Sequence, residues 1–182
     1  MDTLGIVEVQ GIAGGVALAD SMVKEADVEL IRAATICSGR YLIFIGGDRE
    51  AVSSSLTLAK ESGRGLSGCY CISNVSAEVA GALQRDTGAY QGGALGVVEC
   101  RNVSSGVVAA DSAVKQSAVD LLRLVTGQGI NGKCYFVLGG DVASVREATA
   151  KAESVLGKYL IETVVIPRPD DSVVRSLVKR IG

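Results

Sequence analysis

The sequence predicts an α/β (α+β) protein made of two tandem ferredoxin-like modules, and three observations carry that prediction. The stretch 4–32 recurs as 95–123 at an offset of 91, with 14 of 29 positions identical. Gly46-Gly47-Asp48 recurs as Gly139-Gly140-Asp141 at an offset of 93, so the second copy gains two residues between Arg123 and Gly139. Within each copy the hydrophobic period alternates in the order β-α-β-β-α-β, the split βαβ arrangement. The modules are expected at 1–90 and 91–182. The stretch 86–93 (Asp-Thr-Gly-Ala-Tyr-Gln-Gly-Gly) has linker composition and sits at the junction.

Each element of the first module has its own warrant. Residues 4–9 alternate and are rich in β-formers, so they form a strand. Residues 14–26 place Val16, Ala19, Met22/Val23 and Ala26 at helical spacing, as the expected inward face. Residues 28–36 and 40–45 are β-branched runs joined by Cys37-Ser38-Gly39, which predicts a hairpin. Asp48 is a natural N-cap for a helix running to about Ser62, with Val52, Leu56 and Ala59 inward. Residues 69–73 form a fourth strand, followed by a short helix near 77–83. The second module repeats the order.

Composition excludes several function classes. Lys plus Arg is 18 against 20 Asp plus Glu, and aromatics are 4 % with no Trp. Neither nucleic acid nor an acidic membrane surface is an expected partner. The chain has no His, which removes serine-type triads and His-ligated zinc. No acid–base pair or nucleophile–base set stands out, so an enzyme is not expected. Uncharged apolar runs fall short of the roughly 18 residues of a membrane span. The Met1-Asp2-Thr3 start lacks a signal peptide's basic region, so a cytoplasmic protein is expected. Mean hydropathy is +0.35, high enough to predict apolar surface covered by other subunits.

Two stretches, Gly63-Arg-Gly65-Leu-Ser-Gly68 and Gly127-Gln-Gly129-Ile-Asn-Gly132, spell G-x-G-x-x-G. Neither joins a strand to a following helix, so neither makes a dinucleotide site. Cys69-Tyr-Cys71 lies on a strand, with its sulfurs expected on opposite faces and therefore a poor chelate. Cys100 and Cys134 stand in strand runs, in place of Val9 and Tyr41 of the first copy. All four are expected to pack as small hydrophobes. Cys37 is different, because it occupies a hairpin tip where strand packing does not explain it. From the residues alone it is either an incidental loop thiol or a ligand.

The repeated Leu-Gly-x-Val-Glu strand, the Ala-Asp-x-x-Val-Lys helix, the Gly-Gly-Asp turn and Val165-Ile-Pro-Arg-Pro169 resemble the bacterial microcompartment shell domain. Two non-permuted copies are similar to the tandem-domain class of that family, over nearly the whole chain from Leu4 to Val178. The resemblance implies a homotrimer that forms a pseudohexameric tile, sharing a sheet with other shell proteins around encapsulated enzymes. The tip Ala34-Thr-Ile-Cys37-Ser-Gly-Arg40 resembles that of the iron–sulfur-bearing, PduT-type branch, with Ser38 where that branch tends to have proline.

In this family the hairpin tips surround a central pore. The resemblance therefore implies three Cys37 thiolates on one axis, holding one [4Fe–4S] cluster per trimer for electron transfer across the shell. Ser38, Gly39, Gln128, Gly129, Ile130 and Asn131 are the implied pore-lining residues, and an encapsulated or cytosolic redox protein the implied partner. Lys24, Lys115 and Arg168 match the family's assembly-edge positions. Two alternatives stand beside this reading: a metabolite-conducting pore without a cluster, gated by the Gln128–Asn131 tips, and a trimeric small-molecule sensor.

Overall fold

In the computed structural model, which describes residues 2–178, the first copy folds as β1 (Thr3–Gln10), α1 (Ile12–Glu25), β2 (Glu29–Ile36), β3 (Arg40–Gly47), α2 (Arg49–Glu61), β4 (Leu66–Ser73) and α3 (Ala77–Leu83). The second copy folds as β5 (Ala94–Cys100), α4 (Val103–Gln116), β6 (Asp120–Thr126), β7 (Cys134–Gly140), α5 (Val142–Leu156), β8 (Leu160–Ile166) and α6 (Asp171–Leu177). The sheets have the orders β2-β3-β1-β4 and β6-β7-β5-β8, with neighbours antiparallel. Strand β3 inserts between β1 and β2, and β1 between β3 and β4, which is the predicted interleaving of two βαβ units.

Contacts divide the chain into two units. The first runs through Val75 and includes Asn102–Ser104 and Gly127–Gly132; the second holds Ser76–Arg101, Ser105–Thr126 and the chain from Lys133 onward. Helix α3 thus packs with the second sheet, against β6. The first unit also takes in the tip of the β6–β7 hairpin.

The core of the first unit sets β1 and β3 (Val7, Val9, Ile43, Ile45) against α1 and α2. Val52, Leu56 and Ala59 face inward as expected, and Asp48 caps α2 by accepting the Ala51 amide at 2.8 Å. The inward face of α1 is rotated from the expected one. Gly15, Leu18, Ala19 and Met22 are buried, whereas Val16 is 51 % exposed. The helix begins at Ile12 and packs tightly on the sheet at Gly15, where an added Cβ would run into the Tyr41 side chain.

The same device recurs at Gly106, where a Cβ would stand 2.5 Å from the sulfur of Cys134 and 2.7 Å from that of Cys100. Both thiols are fully buried, as expected. Gly106→Ala is expected to destabilise the protein by about 1–3 kcal/mol through overpacking, read as a lower urea midpoint at unchanged slope.

The paired cysteines of β4 need two corrections. Cys71 lies opposite Gly5 and Cys69 opposite Val7, so the strand's period of two puts both on one face, not on opposite faces. Cys69 packs against the core, but Cys71 is exposed, because β4 is an edge strand and Cys71 lies toward its end.

Asp141 caps α5 through the Ser144 amide at 3.0 Å. The Ser144 hydroxyl and amide hold its carboxyl below the ordinary range. A carboxyl with a depressed folded value adds stability above its unfolded value, near 3.9, and loses it as pH falls through the folded value. The stability difference between the protein and Asp141→Asn is therefore expected at neutral pH and should vanish on acidification, as followed by unfolding at stepped pH.

Candidate functional site at the Cys37 hairpin tip

Strands β2 and β3 are joined by a single 3-10 turn, Cys37–Gly39, in which Ser38 has φ 68° and Gly39 φ 69°. A serine rarely holds a left-handed conformation unless its surroundings impose it. Here the Ser38 hydroxyl donates to Oδ1 of Asn131 at 2.6 Å, and Asn131 is itself left-handed at φ 53°. A proline, with φ fixed near −65°, cannot adopt the Ser38 conformation. This tip therefore follows a backbone path that a proline-bearing tip cannot share.

The glycines of 127–132 now have a physical role. Gly127, Gly129 and Gly132 have φ of 83°, 75° and 72°, which lets the loop curl round the cysteine. The Gly129 N–H donates to the Cys37 sulfur at 3.1 Å. The Cys37 N–H donates to the Gly127 carbonyl at 3.3 Å, and the Gly132 N–H closes the loop on the same carbonyl at 3.1 Å. The Gly129 amide above all, with smaller help from those of Gly132, Asn131 and Ile130, holds the thiol below its ordinary value against an opposing effect of burial. The thiolate, the form that ligates metal, therefore forms more readily here than at an ordinary cysteine.

A charge network lies behind the tip. Arg40 splits its guanidinium, with Nη1 on Oε1 of Glu8 and Nη2 donating to the Gly132 carbonyl at 2.7 Å. The Glu8 side chain is fully buried, and its second oxygen accepts from the amide and hydroxyl of Ser104 at 3.0 and 2.9 Å. Sequence reasoning missed Glu8, Arg40 and Ser104. The available signal was a glutamate kept inside the repeated apolar strand, since a buried carboxylate requires a partner. In the second copy the matching pair, Glu99 and Lys133 at 2.8 Å, is substantially exposed.

Cys37, Ser38, Gly129 and Asn131 are thus brought together, and Gly39 joins them by accepting the Gly11 amide at 3.1 Å. The expected edge residues lie elsewhere. Lys24, on α1, pairs with Asp20 on an exposed helix face. Lys115, on α4, pairs with the buried Asp111, whose other oxygen accepts the Ser76 amide at 2.7 Å. Arg168 is exposed just beyond β8. Among the described residues no group of three or more His, Cys, Asp or Glu could hold a metal ion. No helix of the described residues is long and apolar enough to cross a membrane.

Comparison with known proteins agrees with the duplication. The BMC domain family model matches residues 3–78 and again 94–169. The chain is 37 % identical over 179 residues to the bacterial microcompartment shell protein PduT of Citrobacter freundii, covering 97 % of each. It is similar to the crystal structure of a microcompartments protein from Desulfitobacterium hafniense DCB, at TM-score 0.86 and 38 % identity over 96 % of this chain and 99 % of that one. A fused, permuted hexameric shell protein of the RMM microcompartment shares the fold, at TM-score 0.60 and 19 % identity over 86 % and 84 % of the two chains. With a BMC domain in each repeat and kinship along its whole length, the chain belongs to the bacterial microcompartment shell-protein family.

Proposed function

We propose that this shell protein acts as a homotrimeric tile in the shell of a cytoplasmic bacterial microcompartment, with one [4Fe–4S] cluster held by three Cys37 thiolates at the central pore. The observation that carries the cluster is the Gly129 amide directed at the sulfur of a half-buried tip cysteine. The residues fit the group. Backbone amides at the sulfur favour loss of its proton relative to an ordinary cysteine, and an added Cβ on Gly39 or Gly129 meets nothing within 4 Å, so the tip surface is open at both glycines. A single chain has one such thiol, and threefold symmetry supplies the remaining two. Three Cys37 thiolates would leave the fourth iron of such a cluster to a non-cysteine ligand. The bound group supplies one-electron transfer, and the tile places it between lumen and cytosol.

Iron content and broad visible absorbance of anaerobically purified protein test the cluster, and native mass tests the trimer. A mass of three chains with iron is expected. A one-chain mass, or protein without iron, overturns the corresponding part. A pore conducting metabolites without a cluster is the reading left if iron is absent. Family membership leaves the small-molecule sensor without support.

Lys24 and Lys115 are proposed to lie at the tile edges, with Arg168 beside the second. Lys24→Asp with Lys115→Asp is expected to abolish sheet formation in electron micrographs while the native mass stays at three chains. Sheets that persist in the double variant would remove these lysines from the assembly contact.

A further inference from the structure

We infer that Arg40 is a positioning residue for Cys37: it ties the Gly127–Gly132 loop to the buried Glu8 and so fixes the backbone donor at the Cys37 sulfur. This rests on the reading of Cys37 as a cluster ligand. Hydrogen bonds join the loop to the β2–β3 tip at four places: Gly129 N–H to Cys37 Sγ at 3.1 Å, Cys37 N–H to Gly127 O at 3.3 Å, Ser38 Oγ to Asn131 Oδ1 at 2.6 Å and to its carbonyl at 3.3 Å, and Arg40 Nη2 to Gly132 O at 2.7 Å. Three of them use groups on the exposed tip itself. Only the Arg40 bond reaches back to an internal anchor, since the same guanidinium holds a fully buried carboxylate that Ser104 fixes in turn.

The packing at Gly132 agrees with a tether. A Cβ there would collide with the Arg40 guanidinium and stand 2.8 Å from the Cys37 carbonyl, so arginine, loop and cysteine backbone meet at one point. The second copy shows what the arginine adds. Lys133 stands in its place and pairs with Glu99 at 2.8 Å, through a single ammonium rather than a fork that reaches two partners in different directions. A loop held at four points is a clasp, and it is poorly suited to gating.

Hydrogen bonds to the ligating sulfurs help set the potential of an iron–sulfur centre, because they stabilise the more negative reduced state. Arg40→Lys keeps a partner for Glu8 but gives up the second arm. Ser38→Ala leaves the Glu8–Arg40 pair whole and removes only the Asn131 latch, which keeps the test valid if Arg40→Lys fails to fold. Both are made in the full chain and purified anaerobically. Each is expected to retain iron and to shift the midpoint potential negative, with Arg40→Lys lowering the one-electron equilibrium about tenfold, or 59 mV. In cluster-free protein, amide exchange across 127–132 and at Cys37 is expected to rise about tenfold.

Unchanged potential with unchanged exchange overturns the inference. Faster exchange at unchanged potential also overturns it, because the loop would then support the hairpin without acting on the sulfur. Wild-type protein that takes up no iron refutes the cluster separately. Exchange then decides for Arg40: a rise supports the tether, and no change removes it.

Discussion

Cys37→Ser is expected to take iron from one cluster per three chains to none, with native mass and far-UV circular dichroism unchanged. Serine is close to isosteric, and its oxygen can accept the Gly129 amide in place of sulfur, so the clasp has no reason to open. What is lost is the thiolate, for which a neutral hydroxyl is a poor substitute at iron. No other cysteine is placed to compensate. Cys100 and Cys134 are fully buried beneath Gly106. Burial pushes the Cys69 thiol up, away from the ligating form. Cys71 is exposed but lies on an edge strand, not at a tip. Iron assay and visible absorbance of anaerobically purified variant decide the matter, and cluster iron retained in Cys37→Ser would remove Cys37 from the site.

Arg40→Met is expected to cost about 3–5 kcal/mol, the usual consequence of stripping one partner from a buried ion pair. The Glu8 side chain is 0 % exposed and that of Arg40 15 %, so the stranded carboxylate has no water to turn to and keeps only the Ser104 donors. For a chain of this size the loss corresponds to roughly 6–20 °C in thermal midpoint at fixed protein concentration. The second copy provides an internal control. Lys133 and Glu99 are 42 % and 36 % exposed, so solvent replaces the lost partner, and Lys133→Met is expected to cost about 1 kcal/mol or less. Equal losses in the two variants would mean that burial does not distinguish the pairs. Glu8→Gln combined with Arg40→Met should recover part of the loss, since a neutral amide costs less to bury than a charge.

The element order was legible because the chain states it twice. A β-rich strand at the start of each repeat and a Gly-Gly-Asp turn that caps a helix leave little freedom, and the structure has both in each copy, although β1 is buried on both faces rather than alternating. Residue-level orientation was less legible. The apolar residues of α1 permit more than one inward face, and the close approach at Gly15 selects the face that leaves Val16 in solvent. Cys71 was misplaced because a hydrophobic residue at the end of an edge strand is not compelled to find cover.

The site was legible at one residue and hidden in its surroundings. Cys37 stood out as a thiol at a turn. The Gly127–Gly132 loop looked like a failed nucleotide motif and a stretch of pore lining, because nothing local in the sequence joins positions some ninety residues apart. Long-range pairing supplied the rest: an amide on a sulfur, a serine latched to an asparagine, and an arginine forked between Glu8 and Gly132.

By itself, then, the sequence determined that this chain is one module written twice, that each module is a split βαβ fold, and that the copies diverge at their hairpin tips. These properties follow from period, spacing and repetition, which are local and survive in one dimension. Only the tertiary structure decided that the tip of the second copy closes over the cysteine of the first, and that a buried carboxylate stands behind the closure. Such contacts arise from backbone amides and a forked guanidinium meeting in space, and hydrogen-bond geometry of that kind leaves almost no trace in composition or periodicity.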